Sequence, residues 1–238
     1  MSLTACGIDF GTSNSTAAVH DGAVARLLPL EAGRLTLPSA VFFNLDEDTM
    51  SFGRAALNEY LEGYEGRLMR SMKSLLGSGL MDTGTDVGGR HLAFRDLIGG
   101  FLAEIRKRAE TAARCGFDQV VIGRPVYFVD DDREADQLAE DTLAQIVRGL
   151  GFRDVSFQFE PIAAAHAFEQ TVDRESLVLV VDIGGGTSDF SLVRLSPERR
   201  NATDRSADLL GTSGVHIGGT DFDKRLSLSC VMPELGMG

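Results

Sequence analysis

Two stretches of this 238-residue chain share one pattern: Gly7-Ile8-Asp9-Phe10-Gly11-Thr12-Ser13-Asn14-Ser15-Thr16 and Val181-Asp182-Ile183-Gly184-Gly185-Gly186-Thr187-Ser188-Asp189-Phe190. In each, an apolar strand with an aspartate near its end meets a turn of glycine and small hydroxyl residues, and a second alternating strand follows. The pattern predicts two β-hairpins, each with an aspartate at its lip. Asp9 and Asp182 lie 182 − 9 = 173 positions apart, which is too far for the period of a solenoid. The sequence therefore predicts one structural unit used twice, in a protein of two lobes.

Strand and helix signals alternate between the two hairpins. Apolar residues at spacings of three and four predict amphipathic helices, whereas short apolar or alternating runs predict strands. The predicted helices cover 94–114, 132–148 and 161–170, and the predicted strands cover 23–28, 37–43, 120–122, 154–159 and 177–181. This order predicts an α/β protein with mixed sheets and flanking helices, in which strands are parallel where a helix crosses over.

Composition limits the partners of the chain. It has 23 basic and 35 acidic side chains, so the formal net charge is 23 − 35 = −12, and the pI is about 4.7. This balance argues against nucleic acid or an anionic membrane as partner, and no apolar run approaches the roughly 20 residues of a membrane span. Three scattered cysteines, Cys6, Cys115 and Cys230, have neither metal-ligand spacing nor a disulfide framework. They predict reduced thiols in a cytoplasmic protein.

The predicted hairpin turns have the chemistry of a phosphate site. Consecutive backbone N–H groups in a turn suit phosphate oxygens, and a nearby carboxylate suits the water shell of Mg²⁺. The three glycines at 184–186 permit close approach of the backbone. Two such hairpins facing each other could clamp the phosphates of one nucleotide, with a metal between Asp9 and Asp182. An ordinary turn remains the alternative for either hairpin alone, and the fingerprints of a P-loop and of a dinucleotide-binding fold are both absent.

Four further segments extend the pattern along the chain. They are Ser71-Met72-Lys73-Ser74-Leu75-Leu76-Gly77, Gly123-Arg124-Pro125-Val126-Tyr127-Phe128, Glu160-Pro161-Ile162-Ala163-Ala164-Ala165 and Gly218-Gly219-Thr220-Asp221-Phe222-Asp223. With the two hairpins, they resemble the nucleotide-binding domain of the heat shock protein 70 (DnaK) family, within the actin, sugar-kinase and chaperone ATPase superfamily. Gly-Arg-Pro-Val and Gly-Thr-Ser-Asn resemble its YegD-like branch.

The resemblance implies the actin-like (ribonuclease H-like) fold with two lobes. Residues 1–174 would form the first lobe, with the first phosphate loop, and 175–238 the start of a second, incomplete lobe. The implied activity is Mg²⁺-dependent hydrolysis of ATP to ADP and phosphate, coupled to lobe closure. Implied partners beyond nucleotide are client peptides and co-chaperones, through regions absent from this chain.

Site roles follow from the resemblance, position by position. The implied catalytic residues are Lys73, at the γ-phosphate and the attacking water, and Glu160, which would help to place that water or couple it to the interlobe hinge. Asp9 and Asp182 are also implied, and they would hold Mg²⁺ through water. The phosphates or sugar of ATP/ADP would be bound by Gly11, Thr12, Ser13 and Asn14, by Gly184, Gly185, Gly186 and Thr187, and by Gly218 and Gly219. Pro125 and Arg133 match the spacing of the family's proline–arginine switch.

Departures from the family pattern lower the expected activity. Ser188 replaces the aromatic residue after Thr187, and Arg124 places a long cation beside the switch segment. The chain ends where the outermost part of the second lobe should begin, so we expect weak nucleotide affinity and little or no turnover. An incomplete second lobe should also expose apolar surface and favour self-association. The candidate residues are Phe222, Leu226, Leu228 and Val231.

Three other classes of protein share parts of the pattern. A metabolite kinase of the same superfamily would use a carboxylate base in the cleft, for which Glu160 or Asp221 could be mistaken. An actin-like filament protein would share both hairpins, but the segments at 160 and 218 fit chaperones more closely. A nucleotide-free interaction module would not need Asp9, Lys73 and Asp182 together.

Overall fold

The computed structural model describes residues 5–20, 25–202, 204–215 and 217–237. The chain divides into two compact units, the first ending at Gln158 and the second beginning at Phe159. The second unit starts before the predicted lobe boundary at 174, because the helix Glu160–Glu169 packs on strands of that unit. The assignment of lobe I to residues 1–174 remains a prediction.

The predicted α/β class is confirmed by the element order. The strands are β1 (Ala5–Phe10), β2 (Asn14–His20), β3 (Ala25–Leu27), β4 (Thr36–Pro38), β5 (Ala40–Asn44), β6 (Thr49–Phe52), β7 (Gly66–Arg70), β8 (Gly84–Val87), β9 (Arg90–Ala93), β10 (Gln119–Arg124), β11 (Asp154–Phe159), β12 (Ser176–Ile183), β13 (Ser188–Leu195) and β14 (Leu209–Val215). The α-helices are α1 (Arg54–Glu62), α2 (Phe94–Ala113), α3 (Arg133–Gly149), α4 (Glu160–Glu169) and α5 (Gly219–Leu226). Among the helices of the described residues, none has the length and apolarity that a membrane crossing needs.

The main sheet of the first unit has the order β11-β10-β1-β2-β3, and β4 pairs with β2. β1 and β2 form the predicted antiparallel hairpin, with Phe10 opposite Ser15. β1 and β10 run parallel, with Ala5 opposite Gln119, as expected for strands joined through a helical crossover. The predicted strands 120–122 and 154–159 are confirmed as β10 and β11, and β3 lies within the predicted strand 23–28, of which positions 23 and 24 are outside the described residues. The prediction of one strand over 37–43 in this sheet is wrong, because the chain divides there into β4, which pairs with β2, and β5, which belongs to another sheet.

The core of the first unit lies between this sheet and the amphipathic helices α2 and α3. The inward face of β1 contributes Ile8 and Phe10, and the Phe10 and Phe101 rings lie 5.9 Å apart between centroids. Cys6 belongs to this core, and burial raises the pKa of its thiol to about 12. Cys115 and Cys230 are exposed free thiols, so the prediction of unpaired cysteines is confirmed.

A small antiparallel sheet, β6-β5-β7, joins the first unit together with α1. Gly53 precedes α1 with φ +70°, and the Arg54 guanidinium donates to Glu31 at 2.9 Å. These interactions fix the start of α1 without a side-chain cap at position 53. β7 then leads directly into the segment that carries Lys73.

The second unit is built on the antiparallel sheet β12-β13-β14. One face is covered by α4, and its core consists of Ile162, Ala165, Val172, Val193 and Leu195. Buried ion pairs stabilise the C-terminal end of α4. Arg205 donates to both carboxylate oxygens of Glu169, at 2.7 and 2.8 Å, and also pairs with Asp208. Arg199 lies 2.5 Å from the other oxygen of Asp208.

Candidate functional site

Ser39 holds the turn of the first hairpin through hydrogen bonds to two carbonyl groups of the turn. The Ser39 hydroxyl donates to the Gly11 carbonyl at 2.7 Å, and the Ser39 amide donates to the Ser13 carbonyl at 2.9 Å. Ser39 and Ser15 also share a buried hydroxyl contact of 3.0 Å. A side chain at Gly11 would overlap the Asn14 carbonyl, so this close turn requires glycine. Sequence analysis missed Ser39, whose only signal is that a serine precedes β5.

Asp9 reaches the surface because of the alternation of β1. Ile8 and Phe10 point into the core, whereas Asp9 between them is exposed on the other face, opposite Thr16. Alternation along a strand sends neighbouring side chains to opposite faces. The carboxylate therefore lies on the face of the hairpin that the core does not fill.

Lys73 lies on a 3₁₀ turn, Met72–Leu75, that follows β7. Ser71 enters this turn with φ +56°, and fully buried Met72 anchors it in the core. The Lys73 carbonyl accepts from the Leu76 amide at 3.1 Å. Lys73 itself is half-buried. A half-buried lysine next to a fully buried residue has restricted freedom, which suits a positioned cation.

The second hairpin has the same antiparallel pairing of its strands as the first hairpin, but its turn is different. Asp182 lies opposite Asp189, and the turn closes with the Gly184 amide donating to the Thr187 carbonyl at 2.8 Å. Asp182 is exposed, as Asp9 is in the first unit. The prediction of two hairpins with an aspartate near the end of each first strand is therefore confirmed.

Gly218 and Gly219 lie against this second turn. The Gly219 amide donates to the Gly184 carbonyl, and the Thr220 amide to the Gly185 carbonyl, both at 2.9 Å. A Cβ on Gly218 would lie 2.6 Å from the Gly186 nitrogen, so the two backbone segments touch where only glycine fits. The structure thus brings together two glycine segments that lie about thirty residues apart in sequence.

The segment at Gly218 also opens α5. The Asp221 carboxylate accepts from the Gly218 amide at 3.0 Å, which secures the first turn of the helix. The Thr220 hydroxyl donates to the Gly185 carbonyl at 2.6 Å. Thr220 and Asp221 therefore hold the two glycine segments together, a structural role that the sequence motif did not assign.

Glu160 begins α4 in the second unit, and Pro161 follows in the first turn. A negative side chain is favourable at the N-terminus of a helix, and proline is tolerated there. Glu160 is half-buried, while Pro161 and Ile162 are buried.

The switch-like segment is fixed by Arg124. Its guanidinium donates to Asp136 at 2.9 Å and to Glu140, both on α3, and to the Val126 carbonyl at 3.2 Å. Arg133, at the start of α3, is exposed. Arg124, the cation beside Pro125, is therefore bound to α3.

The structure groups the predicted site residues by unit. Asp9, residues 11–14 and Lys73 lie in the first unit, and Glu160, Asp182, residues 184–187, Gly218 and Gly219 lie in the second. Within the residues that the structure describes, no cluster of three or more histidine, cysteine or acidic side chains forms a candidate metal site.

The mixed α/β fold, with an aspartate near the end of the first strand of each hairpin, is consistent with the actin-like ATPase fold. Comparison with known proteins narrows the class. The family model described as "Hsp70 protein" matches residues 5–95 and 82–232. The chain belongs to the Hsp70 family.

Relatives within that family are chaperones by name. A "Chaperone protein HscA homolog" of Pseudomonas paraeruginosa is 34% identical over 241 residues, covering 92% of this chain and 36% of the relative. Another of that name, from Pseudomonas aeruginosa, is 33% identical over 253 residues, covering 98% of this chain and 38% of the relative. The chain thus spans a little over a third of the length of these relatives.

Proposed function

We propose that this chain is the phosphate-binding part of the nucleotide-binding domain of an Hsp70-type chaperone. The observation that carries the proposal is the duplicated hairpin, with an exposed aspartate and a glycine turn in each unit. Family membership supports the same function, because the HscA homologs are chaperones by name. The full activity would be hydrolysis of ATP to ADP and phosphate.

The two turns would bind the phosphates by their amides. Residues 11–14 and 184–187 form the two turns, and the Gly184 amide is already bonded to the Thr187 carbonyl within the second. Gly218 and Gly219 bring a third glycine segment to that turn. Such amide arrays bind anions without a charged side chain. This mode of binding is consistent with a net charge of −12, which offers no broad basic surface.

Asp9 and Asp182 would each supply a carboxylate to the water shell of Mg²⁺. Their exposed carboxylates supply hard oxygen acceptors, and Mg²⁺ is commonly bound by one or two carboxylates plus substrate phosphates. When bound, Mg²⁺ neutralises charge that develops on the transferred phosphoryl group. The proposed role of the two aspartates is to orient the waters of that ion.

Lys73 and Glu160 would complete the chemistry. Phosphoryl transfer depends on positioning and charge neutralisation more than on a strong base. Lys73 would donate to a γ-phosphate oxygen and orient the attacking water, and Glu160 would accept a hydrogen bond from that water. Both are half-buried, which limits their freedom before substrate binds.

Two finer features belong to the same proposal. We assign the chain to the YegD-like branch on Gly123-Arg124-Pro125-Val126 and Gly11-Thr12-Ser13-Asn14, and we place it in the cytoplasm. Arg124 binds α3 through Asp136 and Glu140, which would restrain the switch segment around Pro125. We also propose weak binding of nucleotide and slow or undetectable turnover. Client peptides and co-chaperones are further partners that membership of the family suggests.

Calorimetric titration with Mg·ATP, together with a phosphate-release assay, tests the proposal. Wild type should bind ATP only with Mg²⁺ present, and Lys73→Ala and Asp182→Ala should each weaken binding or abolish phosphate release. Lys107→Ala, on the exposed face of α2, and Asp173→Ala are the matched controls and should behave as wild type. Loss of binding in the controls, or unchanged binding and release in both site variants, would contradict the assigned roles.

A further inference from the structure

Two neighbouring parallel strands end at the same edge of the main sheet. Ile8 of β1 lies opposite Ile122 of β10, and each strand ends two residues further on. The first turn, residues 11–14, follows β1, whereas residues 125–132 follow β10 and lead into α3. Ligands of open α/β sheets bind beside such carboxyl ends. Residues 125–132, called the β10–α3 segment below, are therefore placed where a ligand at the first turn could move them.

Arg124, the last residue of β10, ties the start of this segment to α3. Its side chain is largely buried, with 11% of its surface exposed. The guanidinium donates to the Pro125 carbonyl at 3.0 Å and to the Val126 carbonyl at 3.2 Å. It also donates to two acids on successive turns of α3, to Asp136 at 2.9 Å and to Glu140. One cation thus joins the segment to the helix that follows it.

The middle and the end of the segment are fixed to the same helix. The Phe128 amide donates at 2.5 Å to the carboxylate oxygen of Asp136 that Arg124 does not use. The Phe128 ring also lies 5.2 Å from the Arg124 guanidinium, within the range of a cation–π interaction. At the end of the segment, the Asp132 carboxylate accepts from the Ala135 amide at 3.0 Å and caps α3. The segment is therefore held along its whole length.

We propose that Arg124, Asp136 and Glu140 form a clamp that keeps the β10–α3 segment in one conformation whether or not a nucleotide is bound at the first turn. The inference concerns regulation of the phosphate site and rests, for its ligand, on the proposed function. A ligand shifts a conformational equilibrium only by the difference between its affinities for the two states. Movement of the segment would separate a largely buried guanidinium from two carboxylates, and breaking such a pair is strongly destabilising. A weakly bound nucleotide therefore leaves the segment in place.

The clamp needs a guanidinium and not only a positive charge. The planar guanidinium has N–H donors in several fixed directions, which reach two carboxylates and two carbonyl groups at once. An ammonium is a compact charge at the end of a flexible stem and lacks this fork. Arg124→Lys therefore keeps the net charge of the chain and should lose the clamp.

Hydrogen exchange without nucleotide tests whether the clamp exists. In Arg124→Lys, peptides covering 125–132 should exchange faster than in wild type by about tenfold or more, whereas β1 and α2 should keep their protection. Arg95→Lys is the matched control, because Arg95 on α2 also donates to α3, at 3.3 Å from Gln145, but at an exposed position. The control should exchange as wild type does. Unchanged exchange of 125–132 in Arg124→Lys, or an equal increase in the control, would overturn the proposal.

Two milder variants separate the clamp from general stability of α3. Asp136 binds both Arg124 and the Phe128 amide, whereas Glu140 binds Arg124. Asp136→Asn should therefore accelerate exchange of 125–132 more than Glu140→Gln does. Equal acceleration throughout α3 in both variants would mean that the two acids stabilise the helix without fixing the segment. This pair keeps the test available if Arg124→Lys does not fold.

The same measurement on wild type with Mg·ATP tests the independence from ligand. At a concentration that titration calorimetry shows to be saturating, exchange of 125–132 should equal that of the nucleotide-free chain. A change in exchange of 125–132 upon binding would overturn the proposal. A wild type that binds no Mg·ATP contradicts the proposed function alone, because the nucleotide-free comparison still decides whether the clamp holds the segment.

Discussion

The hairpins β1–β2 and β12–β13 have the same plan and different surroundings. Both carry an exposed aspartate near the end of the first strand and a turn with glycine. In the first unit, Ser39 secures the turn carbonyls, and Phe10 packs on Phe101 in a large core. In the second unit, a second glycine segment secures the turn, and α4 packs on one face of the sheet.

Some properties of the two hairpins are determined locally, and others depend on the surrounding packing. Residues of the turn itself determine its shape and the position of the aspartate, so both hairpins acquire them independently. Stability depends on what packs around the hairpin, and here the two units differ. Among the described residues, the second unit has a core of five buried apolar residues. The buried charges of Glu169, Arg205 and Asp208 hold one end of this unit together.

Removal of Arg205 should have the largest effect and should be confined to the second unit. Arg205→Ala leaves Glu169 and Asp208 buried without their main cation, which costs about 3–5 kcal/mol for a buried pair. Hydrogen exchange should accelerate in β12–β14 and stay slow in β1, β2 and β10. Arg174→Ala, an exposed arginine of the same unit, should change the free energy of unfolding by less than about 0.5 kcal/mol. Equal loss of protection in both units would break the comparison.

Low pH should weaken the same network of Glu169, Arg205 and Asp208. Hydrogen bonds from Arg205 hold the pKa of Glu169 below its usual value, and for Asp208 burial is outweighed by hydrogen bonds from Arg199 and Arg205. A carboxylate with a lowered pKa stabilises the fold above its usual pKa, and this stabilisation is lost as pH falls below about 4. His166, 3.5 Å from Glu169, is the other titratable neighbour. Amide exchange against pH should therefore show β12–β14 opening before β1 and β10, and the reverse order would contradict this assignment.

Disruption of the contact between the two glycine segments in the second unit should have a smaller effect on stability. Gly218→Ala places a Cβ 2.6 Å from the Gly186 nitrogen, and such overpacking costs about 1–3 kcal/mol. Gly219→Ala is the matched control, because its Cβ would meet nothing nearer than 3.7 Å. Thermal unfolding should show a lower Tm for Gly218→Ala alone. A similar loss in both variants would mean that the close approach does not determine the effect.

In the first unit, the corresponding contact is a single side chain. Ser39→Ala removes hydrogen bonds to the Gly11 carbonyl and to Ser15, at a cost of about 0.5–1.5 kcal/mol. Urea unfolding should show this small loss, and Ser74→Ala, at an exposed position of the same unit, should leave the midpoint unchanged. A loss as large as that of Arg205→Ala would contradict the small contribution assigned to Ser39.

The sequence predicts the elements with strong local signals. Period and turn chemistry identified both hairpins, and the boundaries of α2 and α3 fall within one residue of those predicted. Spacing alone could not identify α1, because Gly53 supplies no side-chain cap at its start. The start of the helix depends instead on the interaction of Arg54 with Glu31, which lie 23 residues apart. The β8–β9 hairpin was missed although Gly88-Gly89 is a turn signal.

Long-range contacts explain what sequence reasoning left out of the site. Glu169 and Arg205 lie 36 residues apart, and nothing near either residue indicates that both are buried. Ser39 reaches Gly11 across 28 residues, and Gly185 binds Thr220 across 35. Such pairs depend on the tertiary fold, whereas the turn glycines and their aspartates are recognisable locally.

Binding of Mg·ATP to wild type, Asp9→Asn and Asp182→Asn tests most directly whether the two hairpins have equivalent roles. Calorimetric titration should give weak, Mg²⁺-dependent binding to wild type and a similar loss of affinity in each variant, because each aspartate would orient waters of the same ion. Magnesium-independent binding, or full affinity in either variant, would contradict the account. So would a wild-type chain that binds no nucleotide at any concentration.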